Sequence, residues 1–231
     1  MLGRARRRVV VVDGGEPRNR VAAHMHGVLG HDGKSPHALV ADGRREVENY
    51  GGTIVDATVT DLARAANGFA ATTDSGLTLH ARRVIVATGL RDELPEIAGL
   101  AEQWGTGVVV CPYCDGYEVR DARIAVLATS SWGVHQAQLL RQWSPRVTYF
   151  LCGAEMPQGD DRRAFAARGI DLETRPVVRV VATTAVSAAW NSLTARRSTS
   201  IPSSSLRGPC RSMVYCISSA RNEAKPCSAR S

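Results

Sequence analysis

Cys111-Pro112-Tyr113-Cys114-Asp115-Gly116 is the stretch on which the reading of this chain turns. Two cysteines separated by two residues can close a small disulfide ring, or they can hand two thiolates to a metal. An apolar run, Val108–Val110, leads into the pair, and a second strand-like run, Ile124–Ala128, follows it. Three readings are open at this point: a redox pair, half of a zinc site, or two inert buried thiols. The rest of the chain has to arbitrate.

Charge and cysteine placement narrow the field. The net charge of +7 is uneven. From Thr183 to Ser231 there are seven Lys/Arg and one acidic residue, which is +6, so the preceding residues hold 22 basic and 21 acidic groups, or +1. A nearly neutral body with few aromatic stacking platforms speaks against a nucleic-acid partner. No apolar run approaches the ~20 residues of a membrane span. The basic start Met1–Arg8 is followed by a short apolar run that ends at Asp13, which is not a signal peptide. The expectation is a cytoplasmic protein with no membrane partner, and in a reducing compartment a CxxC is more often catalytic or metal-binding than structural. Of the other cysteines, Cys152 lies in the body and Cys210, Cys216 and Cys227 in the tail. No second CxxC or Cys/His pair stands at zinc-ligand spacing, so no metal residues are assigned. His24, His26 and His31 share a glycine-containing loop and read as ordinary loop histidines.

Along the chain the patterning is that of an α/β protein. Arg8–Asp13, four valines closed by an acid, reads as a buried parallel strand. Gly14–Arg20 is the loop at its carboxyl end, where open α/β sheets bind ligands. Ser35-Pro36 starts a helix and Gly51-Gly52 stops it. Strands are expected over Thr53–Thr60, Phe69–Thr73 and Leu77–His80, the last two joined by a hairpin turn at Asp74-Ser75-Gly76. Arg83–Gly89 reads as a further buried strand, ending in small residues that let a ligand approach the backbone. After the CxxC, a strand over Arg123–Ala128, a helix over Trp132–Trp143 and a strand over Val147–Leu151 make a β-α-β unit. A helix over Asp160–Arg168 and short strands at Ile170–Leu172 and Val177–Val181 extend it. The body thus reads as two nucleotide-binding-type units in series. Beyond Ala182 the periodicity stops and 12 of the last 49 residues are serine, a composition that favours disorder.

Taken together, these residues resemble the thioredoxin reductases and related FAD-dependent pyridine nucleotide-disulfide oxidoreductases. The resemblance rests on Val9–Asp13 with Gly15-Glu16-Pro17-Arg18-Asn19, on Ala87-Thr88-Gly89, on Leu94-Pro95 with Gly99-Leu100, and on the Cys111–Gly116 element, and covers about residues 2–181. It implies an FAD/NAD(P)-binding Rossmann-like fold. Residues 1–104 would be the first half of an FAD-binding domain, residues 105–182 an inserted pyridine-nucleotide-type domain carrying the CxxC, and residues 183–231 a basic Ser-rich tail. It implies electron transfer from NADPH or NADH through FAD to the Cys111–Cys114 disulfide, and on to the disulfide of a thioredoxin-like protein or small molecule, within a homodimer. Cys111, Cys114 and Asp115 would be catalytic, Asp115 as proton carrier. Asp13 would bond the FAD ribose, while Gly15, Glu16, Arg18, Asn19, Ala87, Thr88 and Gly89 would line the flavin site.

The sequence also departs from the family pattern. No GxGxxG turn precedes Val9–Asp13, so the fold is expected to be incomplete at its start. The second strand-to-helix turn reads Ala128-Thr129-Ser130-Ser131-Trp132-Gly133 without the glycine fingerprint, and Cys152-Gly153-Ala154-Glu155 replaces the arginines that would hold a 2′-phosphate. The tail reads as translation in a shifted frame, since one nucleotide earlier it can encode a hairpin and a buried strand. Two alternatives to a flavoenzyme follow from these departures: a non-enzymatic truncated or frameshifted fragment that binds no flavin, and a zinc-binding CxxC module.

Overall fold

The computed structural model describes residues 1–181, 212–216 and 219–221. Two units divide the chain: Met1–His24, Lys34–Arg91 and Arg221–Ser231 in the first, Met25–Gly33 and Asp92–Ala220 in the second.

In the first unit, β1 (Val10–Asp13) and β2 (Thr53–Asp56) are parallel, in register from Val10 opposite Thr53 to Asp13 opposite Asp56. Between them runs α1 (Pro36–Asn49), started by Pro36 at its first turn and closed before Gly51, whose φ of 75° no β-branched residue would adopt without strain. The expected strand Thr53–Thr60 is in fact two elements. The chain leaves β2 at Asp56 and re-enters as β3 (Val59–Ala65), which forms an antiparallel sheet with β4 (Gly68–Thr73) and β5 (Thr78–Ala81). Gly76, at φ 81°, makes the hairpin turn between the last two.

Two expectations fail here for a shared reason. Arg83–Gly89 is not a strand, and its apolar side chains stand in solvent, Ile85 at 76% and Val86 at 58% exposure. β1 is parallel as expected but only half-buried, with Val10 50% exposed. A run of valines becomes a buried strand only when strands flank it on both sides and helices cover its faces. Among the described residues β1 has β2 as its one neighbour, and no strand lies beside Arg83–Gly89.

In the second unit, a five-stranded parallel sheet runs in the order β10-β9-β8-β11-β7. The short strand β6 (Arg91–Glu93), which pairs with β12 (Ser219–Arg221), precedes β7 (Val108–Val109). The CxxC motif forms the single-turn helix α2 (Pro112–Asp115), and β8 (Arg123–Ala128) follows. Next come α3 (Trp132–Leu140), β9 (Arg146–Leu151), α4 (Gly159–Arg168) and β10 (Ile170–Glu173). The helix expected over Trp132–Trp143 therefore ends three residues early. Val177–Val181 is not a strand; it contributes a single bridge, Arg179 to Ala98. A further interior strand is β11 (Ser212–Cys216), a Ser-Met-Val-Tyr-Cys run inside the tail, lying between β8 and β7. The remainder of the tail, with the expected disorder and shifted frame, lies outside the described residues.

The core belongs to this sheet. Apart from Pro36, every fully buried apolar side chain among the described residues lies between Leu100 and Val180. β8 is buried on both faces: Ile124, Val126 and Ala128 pack with Ala137, Leu140, Val147, Tyr149 and Phe165, while Ala125 and Leu127 pack with Leu100, Val108, Phe150 and Val180. Each Val, Leu, Ile or Phe buried this way contributes about 1.5–3 kcal/mol relative to exposure. Such doubly covered strands read as continuous apolar runs, which is how Arg123–Ala128 was legible.

Candidate functional site

The redox turn is positioned by the core beneath it. β7 ends at Val109, and the next carbonyl, Val110, accepts a hydrogen bond from the buried Gln136 side chain of α3 at 2.9 Å. Cys111 is still extended (φ −109°, ψ 110°) and caps α2, receiving the Asp115 N–H on its carbonyl at 3.2 Å. Pro112 is buried at the first helical position, where its missing N–H costs nothing. Gly116 donates its N–H to the Pro112 carbonyl at 2.8 Å. A Cβ on Gly116 would collide with that carbonyl and lie 2.9 Å from Trp143 Cδ2. The Tyr113 ring meets the Trp143 ring edge-on at 5.4 Å between centroids. The turn therefore rests on Trp143 at two points, and Val119, buried in the core, anchors its exit.

Cys111 and Cys114 are joined as a disulfide with Cα atoms 5.3 Å apart, within the normal span of such a bond. Cys111 is half-buried and Cys114 exposed. Among the described residues no group of three His, Cys, Asp or Glu side chains could hold a metal. Asp115, half-buried next to Cys114, has its pKa raised: burial is the main cause, the Glu118 carboxylate adds to it, and His26 opposes it. A carboxyl so shifted can hold a proton at higher pH and give it up locally, as general acid–base chemistry requires. Glu118 and His26 carry no sequence signature. The pairing of a loop histidine with a residue of a distant 3₁₀ turn becomes visible only in the fold.

The residues expected to line a flavin site fall at the carboxyl end of β1 and beyond. Asp13 accepts the Gly15 N–H on Oδ1 at 2.9 Å and Arg44 Nη1 on Oδ2 at 2.6 Å, and its pKa is lowered, chiefly by the Gly15 hydrogen bond and then by Arg44. Arg44, unforeseen from sequence, also reaches Asp56 Oδ1 at 2.5 Å and so ties the ends of β1 and β2 together. Gly15 (φ 75°) and Gly89 (φ 69°) both border open space, and Glu16, Arg18, Asn19, Ala87 and Thr88 are exposed. An ionised carboxylate has about four acceptor positions, two of them used here, so Asp13 can still take a ribose hydroxyl. Among the described residues of this unit no G-x-G-x-x-G turn joins a strand to a helix; the glycine-containing loop before α1 does not have that spacing. The described residues thus fit the ribose of FAD and offer its pyrophosphate no cradle.

At the carboxyl end of β8, beside the break in strand order between β8 and β11, the turn Ala128–Gly133 occupies the usual place of a dinucleotide. One glycine of the fingerprint persists there in function. A Cβ on Gly133 would come within 2.5 Å of the Ala128 Cβ and 3.1 Å of Tyr149 Cε2, so Gly133 allows α3 to pack closely on the sheet. Trp132 stands 72% exposed at the helix start, and Glu155 is exposed beyond β9.

A parallel sheet with a disulfide turn between two of its strands defines a class, and comparison with known proteins identifies it. The family model for pyridine nucleotide-disulphide oxidoreductases matches residues 1–202, and the chain belongs to that family. Within it the chain is thioredoxin reductase-like. The crystal structure of HlmI is 42% identical with a TM-score of 0.79, covering 95% of this chain and 66% of that one. The crystal structure of the oxidoreductase from Agrobacterium tumefaciens is 43% identical with a TM-score of 0.74, covering 78% of this chain and 61% of that one. Thioredoxin reductase tcpT of Claviceps purpurea is 33% identical over 195 residues, which is 78% of this chain and 60% of that protein. The chain spans 40%, 60% and 59% of the first three curated relatives it matches. Among the described residues no helix is long and apolar enough to cross a membrane.

Proposed function

We propose that this chain is an oxidoreductase that exchanges electrons with a substrate disulfide through Cys111 and Cys114, with Asp115 as proton carrier. The observation that carries this reading is the disulfide itself, held in a turn braced by Trp143 and Gln136 beside a carboxyl whose pKa burial raises. In the reduced pair one sulfur is a thiolate and the other a thiol. The thiolate attacks the substrate S–S bond, a mixed disulfide forms, and one substrate thiolate leaves. The second cysteine gives its proton to the Asp115 carboxylate and attacks the mixed disulfide. This re-forms the Cys111–Cys114 bond and releases the second thiolate, and Asp115 passes the proton on to a departing sulfur. FAD, when bound, would supply the two electrons that re-open the disulfide, with NADPH or NADH as their source. Asp13 would hold the FAD ribose, and Gly15, Glu16, Arg18, Asn19, Ala87, Thr88 and Gly89 would border the flavin. The substrate class is a thioredoxin-like protein or a small-molecule disulfide. A homodimer and a reducing, cytoplasmic setting follow from the same family reading.

The test is a visible spectrum of the chain after FAD is added and the excess removed. A retained flavin band that dithiol bleaches in the native chain, and not in Cys111→Ser or Cys114→Ser, supports the flavoenzyme. Absence of a retained band overturns flavin dependence. It would favour a second reading, a chain that folds its disulfide unit and holds no flavin. The exposed Val84–Val86 run speaks for that alternative.

A further inference from the structure

The segment Met25–Gly33 groups with the disulfide-bearing unit although the chain on either side of it does not. It is closed by the Gly33 N–H to the Met25 carbonyl at 2.9 Å. Inside it, His26 Nδ1 lies 3.2 Å from Asp32 Oδ1, an oxygen that also receives the Gly27 N–H at 3.4 Å. The other ring nitrogen, Nε2, lies 3.6 Å from Glu118 Oε1. Glu118 sits on the 3₁₀ turn Tyr117–Val119 that directly follows the redox helix, three positions after Asp115. Imidazole is therefore clamped by two carboxylates, one of which neighbours the proton carrier.

A partly exposed ion pair of this kind is worth little to stability, roughly 0–1 kcal/mol. Its consequence lies in the local charge balance. The charged groups facing Asp115 are Glu118, which opposes its ionisation, and His26, which favours it; those facing His26 are Asp32 and Glu118. Glu118 favours the protonated Asp115 carboxyl and His26 opposes it. Asp32 fixes which ring nitrogen points to Glu118.

We infer that His26 is a positioning residue of the redox pair: held by Asp32, it engages Glu118 and so leaves the Asp115 carboxylate able to take the proton of the second cysteine. The inference rests on the reading of Asp115 as proton carrier. It also gives a use to one of the loop histidines whose spacing pointed to no ligand set.

The experiment needs no flavin. The full chain is reduced with dithiol, freed of it, and mixed with 5,5′-dithiobis(2-nitrobenzoate) across pH. In this reaction one cysteine thiolate cleaves the aromatic disulfide and releases one aromatic thiolate. The second cysteine, its proton passing to Asp115, closes Cys111–Cys114 and releases the other. The expected result is a closure step with a pH midpoint that Asp115→Asn abolishes. His26→Gln should move that midpoint up, by about three- to fivefold in proton affinity, the size expected of one partly exposed charge pair. Glu118→Gln should move it down, and His26→Lys should restore it toward the native value. A merely structural role would not give shifts of opposite sign. If Asp115→Asn abolishes the dependence and His26→Gln leaves the midpoint unmoved, the His26 inference fails alone. If Asp115→Asn itself changes nothing, the proton-carrier reading fails and this inference with it. Should His26→Gln fold poorly, the Glu118→Gln and His26→Lys shifts still decide.

Discussion

Gly116→Ala tests whether the redox turn is seated on the core as described. Gly116 has φ −69° and ψ −33°, an ordinary helical conformation, so alanine costs nothing in the backbone there. By restricting the unfolded chain, alanine at such a position ordinarily stabilises by about 0.4–1 kcal/mol. Sterics act in the opposite direction. The added methyl would overlap the Pro112 carbonyl oxygen and lie 2.9 Å and 3.0 Å from Trp143 Cδ2 and Cε2. A carbonyl oxygen of the same helical turn cannot withdraw without breaking the bond it accepts from the Gly116 N–H. The Trp143 backbone is held by its carbonyl, which accepts the Asp121 N–H at 2.8 Å, and its ring meets the Tyr113 ring edge-on. Overpacking of this kind costs about 1–3 kcal/mol. At central values the steric loss exceeds the backbone gain, and the net effect is a destabilisation of about 1.3 kcal/mol, with bounds of about 0 and 2.6 kcal/mol. Urea unfolding of the oxidised chain, followed by tryptophan fluorescence, measures it. The accompanying sign is faster reaction of the disulfide with added dithiol, since the turn no longer seats on Trp143. A variant as stable as the native chain or more so, with unchanged disulfide reactivity, would refute the docking of the motif on Trp143.

Two further substitutions probe buried polar groups. Asp115 has a folded-state pKa raised above its ordinary 3.8, so its contribution to stability is complete below that value and is lost as pH rises through the folded pKa. Asp115→Asn should therefore gain on the native chain as pH climbs through this window, and paired denaturation curves at several pH values that stay parallel would refute the burial argument. Tyr149 is fully buried, its hydroxyl has no hydrogen-bond partner among the described residues, and its ring packs edge-on against Phe165 at 5.2 Å. Tyr149→Phe keeps the ring contacts and removes an unsatisfied group that costs about 1–3 kcal/mol, so a higher urea midpoint is expected and a lower one would reveal a partner for the hydroxyl.

How much of this was legible in the sequence depended on where the information sat. β8 was read to the residue, because both faces of Arg123–Ala128 are buried and its pattern needs only itself. The limits of α1 were close for the same local reason, Pro36 at one end and Gly51 at the other. Arg83–Gly89 carries an equally apolar pattern and was misread, since an apolar run specifies burial only where neighbouring strands exist to receive it. Ser212–Cys216 failed in the opposite sense: five residues in a serine-rich stretch look unpromising, yet they lie between β7 and β8, where both neighbours supply ladder partners.

The same distinction runs through the site. The Cys111–Cys114 disulfide turn was legible because it is a local object, written in six consecutive residues. What gives that turn chemical character is not local. Trp143 lies beneath it from the end of α3, Gln136 holds its entrance, and Glu118 with His26 sets the charge beside Asp115. In an unfolded peptide Asp115 would lose the burial that raises its pKa here. The unit built on Leu100–Val180 supplies the two properties that the proposed exchange requires, a fixed pair and a neighbouring carboxyl with a raised pKa. Every one of these supporting contacts lies within the second unit, which also holds nearly all of the buried apolar surface. Thiol exchange at Cys111–Cys114 should therefore survive changes in the first unit that abolish any retention of flavin.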